Sequence, residues 1–228
     1  MLLVGTVGVV VAGALLWLLY FNHKDSLKPE PRRLLLLAWC CGCASAFLGL
    51  FFYWLAGLLG LPSWPGESAG EIALYCLVLV GPVEEGAKFL MARFLIFRWR
   101  HFDERIDGMV YAAAVAIGFA TVENLLYAPF LPWPQQLARA VASPLTHSLF
   151  AAIWGFGTAH ALLVCRTRTA RLLWQLIPLG LAMLAHGLYD FFLLAFDATF
   201  LASGVILLLW VVLIWNSRRL VRLQKAGR

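Results

Sequence analysis

Long apolar runs separated by short polar breaks set the pattern of this 228-residue chain. The runs cover about 2–21, 34–61, 72–97, 106–130, 141–165, 172–196 and 200–215. The breaks between them hold turn-forming clusters such as Lys28-Pro29-Glu30-Pro31, Pro62-Ser63-Trp64-Pro65-Gly66 and Pro129-Phe130-Leu131-Pro132-Trp133-Pro134. Crossing roughly 30 Å of hydrocarbon as a helix takes roughly 20 apolar residues. The pattern therefore predicts an all-α bundle of about seven transmembrane helices, one domain over 1–228 with no room for a soluble one. The first run has no basic residue before it and is long enough to span, so it is read as a helix and not as a signal peptide.

Lys and Arg orient the bundle, because short loops rich in them stay cytoplasmic. Lys24, Lys28, Arg32 and Arg33 follow the first run; Arg93, Arg98, Arg100 and Arg105 flank the end of the third; Arg166, Arg168 and Arg171 follow the fifth. Arg218, Arg219, Arg222, Lys225 and Arg228 form a basic tail over 216–228. Of the 18 basic residues, Lys88 and Arg139 alone stand apart, the first inside a run and the second in an opposite-side loop. One missed crossing would scatter these charges onto both sides, so the same distribution supports the helix count. It places the N-terminus outside and the C-terminus in the cytoplasm.

Composition agrees: 62% of residues are hydrophobic and 13% charged, far from a soluble globular chain. The net charge of +6 is concentrated in the cytoplasmic loops and tail, which fits topology and anionic lipid and excludes nucleic acid as the expected partner. Cys40, Cys41, Cys43, Cys76 and Cys165 lie in or at the ends of apolar runs without paired spacing in polar loops, so they are read as packing residues. Trp64 and Trp133 on one side, with Trp99, Trp174 and Trp215 on the other, read as interfacial anchors.

Ionisable side chains inside a membrane are costly and usually face a protein interior or a water-filled cavity. Glu84, Glu85 and Lys88 fall in the third run, Glu123 in the fourth, His147 in the fifth, and His186 with Asp190 in the sixth. Residues four apart share a helix face, which pairs Glu84 with Lys88 and His186 with Asp190. Gly81-Pro82 precedes the glutamates, and proline there favours a kink or a restart of the helix. At about 1.5 Å of rise per residue, the acids and histidines of these four runs reach one level, roughly 10–20 Å below the outer ends. Asp107, at the cytoplasmic start of the fourth run, is read as a helix cap, and His23, His101 and His160 fall nearer the cytoplasmic side.

Such a cluster supports three chemistries. Glutamate-activated water attacking a peptide bond needs a base, an oxyanion donor and a proton for the leaving amine, and Glu84 or Glu85 with His147 or His186 can supply all three. A zinc version of the same hydrolysis uses two histidines and a carboxylate as ligands, here His147, His186 and Glu123, although no H-E-x-x-H motif occurs. No cofactor is firmly predicted, and metal-free hydrolysis is preferred. A proton-coupled transporter would use Glu84, Glu85, Glu123 and Asp190 as a relay, yet no inverted repeat is found.

The motifs carry a resemblance. Pro82-Val83-Glu84-Glu85-Gly86-Ala87-Lys88 resembles the E-E-x-x-K motif of the PrsW family of membrane-embedded bacterial peptidases. Asp107-Gly108 followed by Gly118-Phe119-Ala120-Thr121-Val122-Glu123-Asn124 resembles its second motif, with an F-x-x-x-E core. His147 resembles the histidine of the third motif, and His186-Gly187-Leu188-Tyr189-Asp190 its H-x-x-x-D. The CAAX-processing and bacteriocin-immunity membrane proteases are distantly similar but have histidine where this chain has Glu123. The resemblance implies an intramembrane endopeptidase of the bacterial cytoplasmic membrane that cuts a membrane-anchored protein, anti-sigma-factor-like substrates included. It assigns Glu84, Glu85, Glu123, His147 and His186 to the active site, with Lys88, Asn124 and Asp190 supporting, and leaves glutamate-only and metal-dependent mechanisms open. Neither pattern nor resemblance specifies an oligomeric state.

Overall fold

A computed structural model of the chain describes all residues except 1, 25–28, 63, 198–199, 201–202, 213–214 and 216–228. Lys28, Ser63 and the basic tail over 216–228 therefore lie outside the described residues. The helices are α1 (Leu2–Lys24), α2 (Arg32–Leu58), α3 (Ala69–Leu74), α4 (Gly81–Met91), α5 (Arg105–Tyr127), α6 (Trp133–Leu163) and α7 (Arg168–Phe196). A further helix, α8, covers Ser203–Val212. Two π-helical segments, Tyr75–Val80 and Ala92–Ile96, join α3 to α4 and extend α4, so that these elements form one column and the described residues make seven helical columns. No strand occurs among the described residues.

Helix α5 is the axis of the bundle. Every residue from Ile106 to Thr121 is buried, as expected for a helix that is apolar on all sides and surrounded by protein. Its small residues let neighbours approach: a Cβ on Gly108 would lie 2.3 Å from the Gly155 carbonyl oxygen of α6, and one on Gly155 would lie 2.2 Å from that of Gly108. In a bilayer, where lipid is as apolar as leucine, such close backbone packing replaces hydrophobic burial as the force between helices. The outer faces of α2 and α7 present Leu36, Leu37, Phe47, Phe51, Leu173, Ile177, Leu181 and Leu184, all exposed. Their exposure suits contact with lipid.

The third column is wound unevenly for a local reason. Proline has no amide hydrogen and cannot continue the ladder; just before Pro82 the wide π-turn closes with the Gly81 amide bonded to the Cys76 carbonyl, and α geometry restarts at Gly81. A Cβ on Gly81 would lie 2.2 Å from the Met183 carbonyl oxygen, and one on Gly187 2.6 Å from that of Cys76. The column and α7 thus touch backbone to backbone beside Glu84 and His186. At the other end of the column Ser68 accepts the Glu71 amide while Glu71 accepts the Ser68 amide, a reciprocal cap that fixes where the column begins.

One expectation is revised and one is met in part. Helix α6 starts at Trp133 and not near 141, because Pro134 sits in its first turn, where a missing amide hydrogen costs nothing; Arg139 is consequently in a helix and not in a loop. Secondly, four helices among the described residues are long and apolar enough to cross a membrane: Val4–His23, Arg32–Leu58, Arg105–Phe130 and Arg168–Phe196. The third column is divided into short segments and carries Glu84, Glu85 and Lys88, the apolar content of α6 is diluted by Gln135, Gln136, Arg139, His147 and His160, and α8 is described over Ser203–Val212 only.

Candidate active site

Glu84, Glu85 and Lys88 stand on the first turns of α4, and all three are buried. The two carboxylates have opposite surroundings. Glu85 is saturated: its Oε1 accepts from Lys88 Nζ at 2.8 Å and from His186 Nδ1 at 2.9 Å, and its Oε2 accepts from Trp154 Nε1 at 2.9 Å. Glu84 accepts one hydrogen bond, on Oε1 from the Tyr53 hydroxyl of α2 at 3.1 Å. Its Oε2 is buried without a hydrogen-bond partner. That oxygen faces Lys88 Nζ at 3.7 Å, His186 Nε2 at 3.8 Å and His147 Nδ1 at 4.0 Å.

The neighbours assign the imidazole tautomers. An ammonium can only donate, so His147 Nδ1, 2.8 Å from Lys88 Nζ, accepts, and the ring proton lies on Nε2, which donates to Glu123 Oε2 at 2.9 Å. A carboxylate can only accept, so His186 Nδ1 donates to Glu85 and its Nε2 is left facing Glu84 and, at 3.4 Å, Asp190 Oδ2. The two rings meet edge to face with centroids 5.0 Å apart. Phe150 stacks on His186 at 4.8 Å, and the Lys88 ammonium sits 4.1 Å from the Phe119 ring centre, so aromatic rings pack against both donors to Glu85 Oε1.

Glu123, on the last turns of α5, is bound on both oxygens. Oε2 takes His147 and Oε1 takes Arg139 Nη2 of α6 at 3.2 Å. Four acidic side chains, Glu84, Glu85, Glu123 and Asp190, stand against two basic ones, Lys88 and Arg139, a deficit of positive charge wherever the acids are ionised. A protonated imidazole or a bound cation would relieve that deficit. One ligand atom each from Glu84, His147 and His186 lies within 4.8 Å of the others, a two-histidine, one-carboxylate set of the type that holds zinc. The donor set and the unpartnered Glu84 oxygen fit such an ion, with the Lys88 ammonium as the competing cation in the same space.

Seven residues singled out from sequence meet here: Glu84, Glu85, Lys88, Glu123, His147, His186 and Asp190. Lys88 lies closer to Glu85 than to its expected partner Glu84. Glu84, and not the expected Glu123, groups with the two histidines, because Glu123 meets His147 on the opposite ring nitrogen. Asn124 stands one step outside, where its amide nitrogen donates to the Arg139 carbonyl at 3.3 Å. Asp107 caps α5, accepting the Asp103 and Glu104 amides at 2.9 and 2.6 Å. His160 lies apart, its ring tilted against Trp174 with centroids 4.1 Å apart, and the five cysteines are free. Sequence reading passed over Tyr53, Arg139 and Trp154. Trp154 is seven and Arg139 eight residues from His147, spacings that share its helix face; Tyr53 carries no such signal.

Known proteins resemble the chain over most of its length. Protease PrsW of Geobacillus kaustophilus (strain HTA426) is 33% identical over 218 residues, which is 94% of this chain and 90% of that protein. Protease PrsW of Bacillus subtilis (strain 168) is 31% identical over 186 residues, 81% of each chain. Protease PrsW of Clostridioides difficile (strain 630) is 27% identical over 206 residues, 89% of this chain and 83% of that protein. No solved structure matches. The motifs of α4 to α7 fall inside residues 30–216, the stretch matched by the model of the PrsW family intramembrane metalloproteases, and the chain belongs to that family.

Proposed function

We propose that the protein is an endopeptidase of the bacterial cytoplasmic membrane that hydrolyses a peptide bond in a membrane-anchored protein, with Glu84 as the base. Family membership and relatives named as proteases support the reaction class. The observation that carries the assignment is the contrast between the two glutamates: Glu84 Oε2 is buried, unpartnered and aimed at two imidazoles, while Glu85 already accepts three hydrogen bonds. A base must have a free lone pair within reach of its water.

In this reading, Glu84 takes a proton from water as the oxygen attacks the scissile carbonyl, then returns it to the departing amine. His186, protonated on Nε2 and held by Asp190, donates to the oxyanion, and the Lys88 ammonium beside Glu84 offsets the developing negative charge. Glu85, tied by Trp154, fixes both Lys88 and His186. The bundle would cross the membrane seven times, N-terminus outside, with the site opening toward the outer half and an anti-sigma-factor-like single-span protein as a fitting substrate.

The zinc version of the hydrolysis is favoured by one observation, the convergence of Glu84, His147 and His186. Those three residues would hold the ion, which would polarise the scissile carbonyl and acidify a bound water. One experiment separates the readings: cleavage of reconstituted single-span substrates by wild type, Glu84→Gln and His186→Ala, with metal content measured on the same preparations. Chelator-resistant cleavage by metal-free protein, lost in Glu84→Gln, supports the glutamate mechanism. Stoichiometric zinc that leaves with His186→Ala replaces it by the metal version, and flux without cleavage would favour a carrier.

A further inference from the structure

The seven clustered polar residues continue outward to an eighth that the motifs do not include. Arg139 lies on α6 two helical turns before His147, with its side chain 35% exposed. Three contacts hold it, all from the end of α5: Nη2 to Glu123 Oε1 at 3.2 Å, Nε donating to Asn124 Oδ1 at 3.2 Å, and the guanidinium 4.6 Å from the Tyr127 ring centre. Asn124 closes the arrangement by donating to the Arg139 backbone carbonyl at 3.3 Å. A planar guanidinium with donors on fixed sides is suited to this kind of positioning, which a flexible ammonium cannot reproduce.

We infer that Arg139 is a positioning residue that acts through Glu123 on His147. Its hold on Glu123 Oε1 leaves Oε2 as the acceptor for His147 Nε2, and that bond, with Lys88 on the opposite nitrogen, fixes the orientation of the ring and keeps the Nδ1 lone pair turned toward Lys88 and Glu84. Without the fork, Ser143, whose hydroxyl is 3.5 Å from Glu123 Oε2, is the remaining side chain with a hydrogen-bond contact to Glu123 besides His147 among the described residues. The carboxylate would then be free to turn, and the ring, its tautomer still set by Lys88, would lose the bond that orients it. Partners that orient a working imidazole typically contribute about 10–100-fold. Loss of Arg139 would thus lower turnover although Arg139 does not touch substrate.

This inference rests on the proposed peptidase reading, and the test separates the two. Cleavage of a reconstituted single-span substrate is measured for wild type, Arg139→Gln, Arg139→Lys, Glu123→Gln and the Arg139→Gln/Glu123→Gln double variant. In parallel, ¹⁵N-histidine spectra of the same proteins in bilayers report the tautomer and the Nε2 hydrogen bonding of His147 without any substrate. The expected result is a roughly 10–100-fold fall in kcat for Arg139→Gln at unchanged KM, partial recovery in Arg139→Lys, no further loss in the double variant over Glu123→Gln, and His147 resonances that move while those of His186 stay. A raised KM with unchanged kcat, multiplying losses in the double variant, or unmoved His147 resonances overturn the inference. If wild type cleaves no substrate the peptidase reading fails, and the spectra still decide the role of Arg139. If Arg139→Gln does not fold, Arg139→Lys, which keeps the charge and removes the fork, carries the same comparison.

Discussion

Replacing each of the adjacent glutamates by glutamine should give two different proteins. In Glu84→Gln the side-chain carbonyl still accepts the Tyr53 hydroxyl, the single hydrogen bond that Glu84 makes, and only the longer 3.7 Å ion pair with Lys88 is lost, so the cost should stay at about 1–2 kcal/mol. The base, however, is gone, and turnover should fall by roughly 10²–10⁴. In Glu85→Gln an amide replaces an anion that accepts from Lys88, His186 and Trp154. One end of the amide is itself a donor, so it opposes at least one of those donors and leaves the fully buried Lys88 ammonium without its nearest counter-charge. Breaking one side of a buried ion pair typically costs about 3–5 kcal/mol, or roughly 6–20 °C in Tm for a chain of this size. The assay is thermal unfolding in detergent alongside cleavage in proteoliposomes. A Glu85→Gln protein as stable as wild type yet inactive, paired with an active Glu84→Gln, would refute the assignment of roles.

Trp154→Phe removes one hydrogen bond to a buried carboxylate while keeping the edge-to-face contact with Phe89, and should cost about 1.5–3 kcal/mol in unfolding experiments. Gly155→Ala places a methyl 2.2 Å from the Gly108 carbonyl oxygen, so α5 and α6 must separate; a loss of about 1–3 kcal/mol, read as a lowered Tm, is expected. Asp190→Asn keeps the shape beside His186 Nε2 but removes its counter-charge, and kcat should fall by about 10-fold or more with the fold intact by circular dichroism. Dialysis against a chelator should leave cleavage unchanged under the glutamate mechanism and abolish it, with zinc release, under the metal one.

How much of this was readable in advance follows from the range of each interaction. Apolar runs and the placement of Lys and Arg are local properties, so helix number and class come through directly from the pattern. The acids and histidines are equally conspicuous, because ionisable groups are expensive in hydrocarbon and rarely occur there without a partner. The same logic misplaced Arg139: an arginine after a proline-rich break reads as loop, whereas Pro134 lies in the first turn of α6 and the helix carries Arg139 toward Glu123.

The amino-acid pattern by itself determined that this is an all-helical membrane protein of the PrsW family with carboxylates and histidines on four separate runs. Only the tertiary structure decided how the two adjacent glutamates differ. Glu84 and Glu85 are neighbours in one motif with the same chemistry, yet roughly 100° of helical rotation separates consecutive side chains. That rotation points Glu85 at Trp154, His186 and Lys88 and leaves one oxygen of Glu84 unclaimed between two imidazoles. Which donors stand at those directions depends on α6 and α7 packing beside α4, and that packing depends on glycine contacts between residues far apart in the chain.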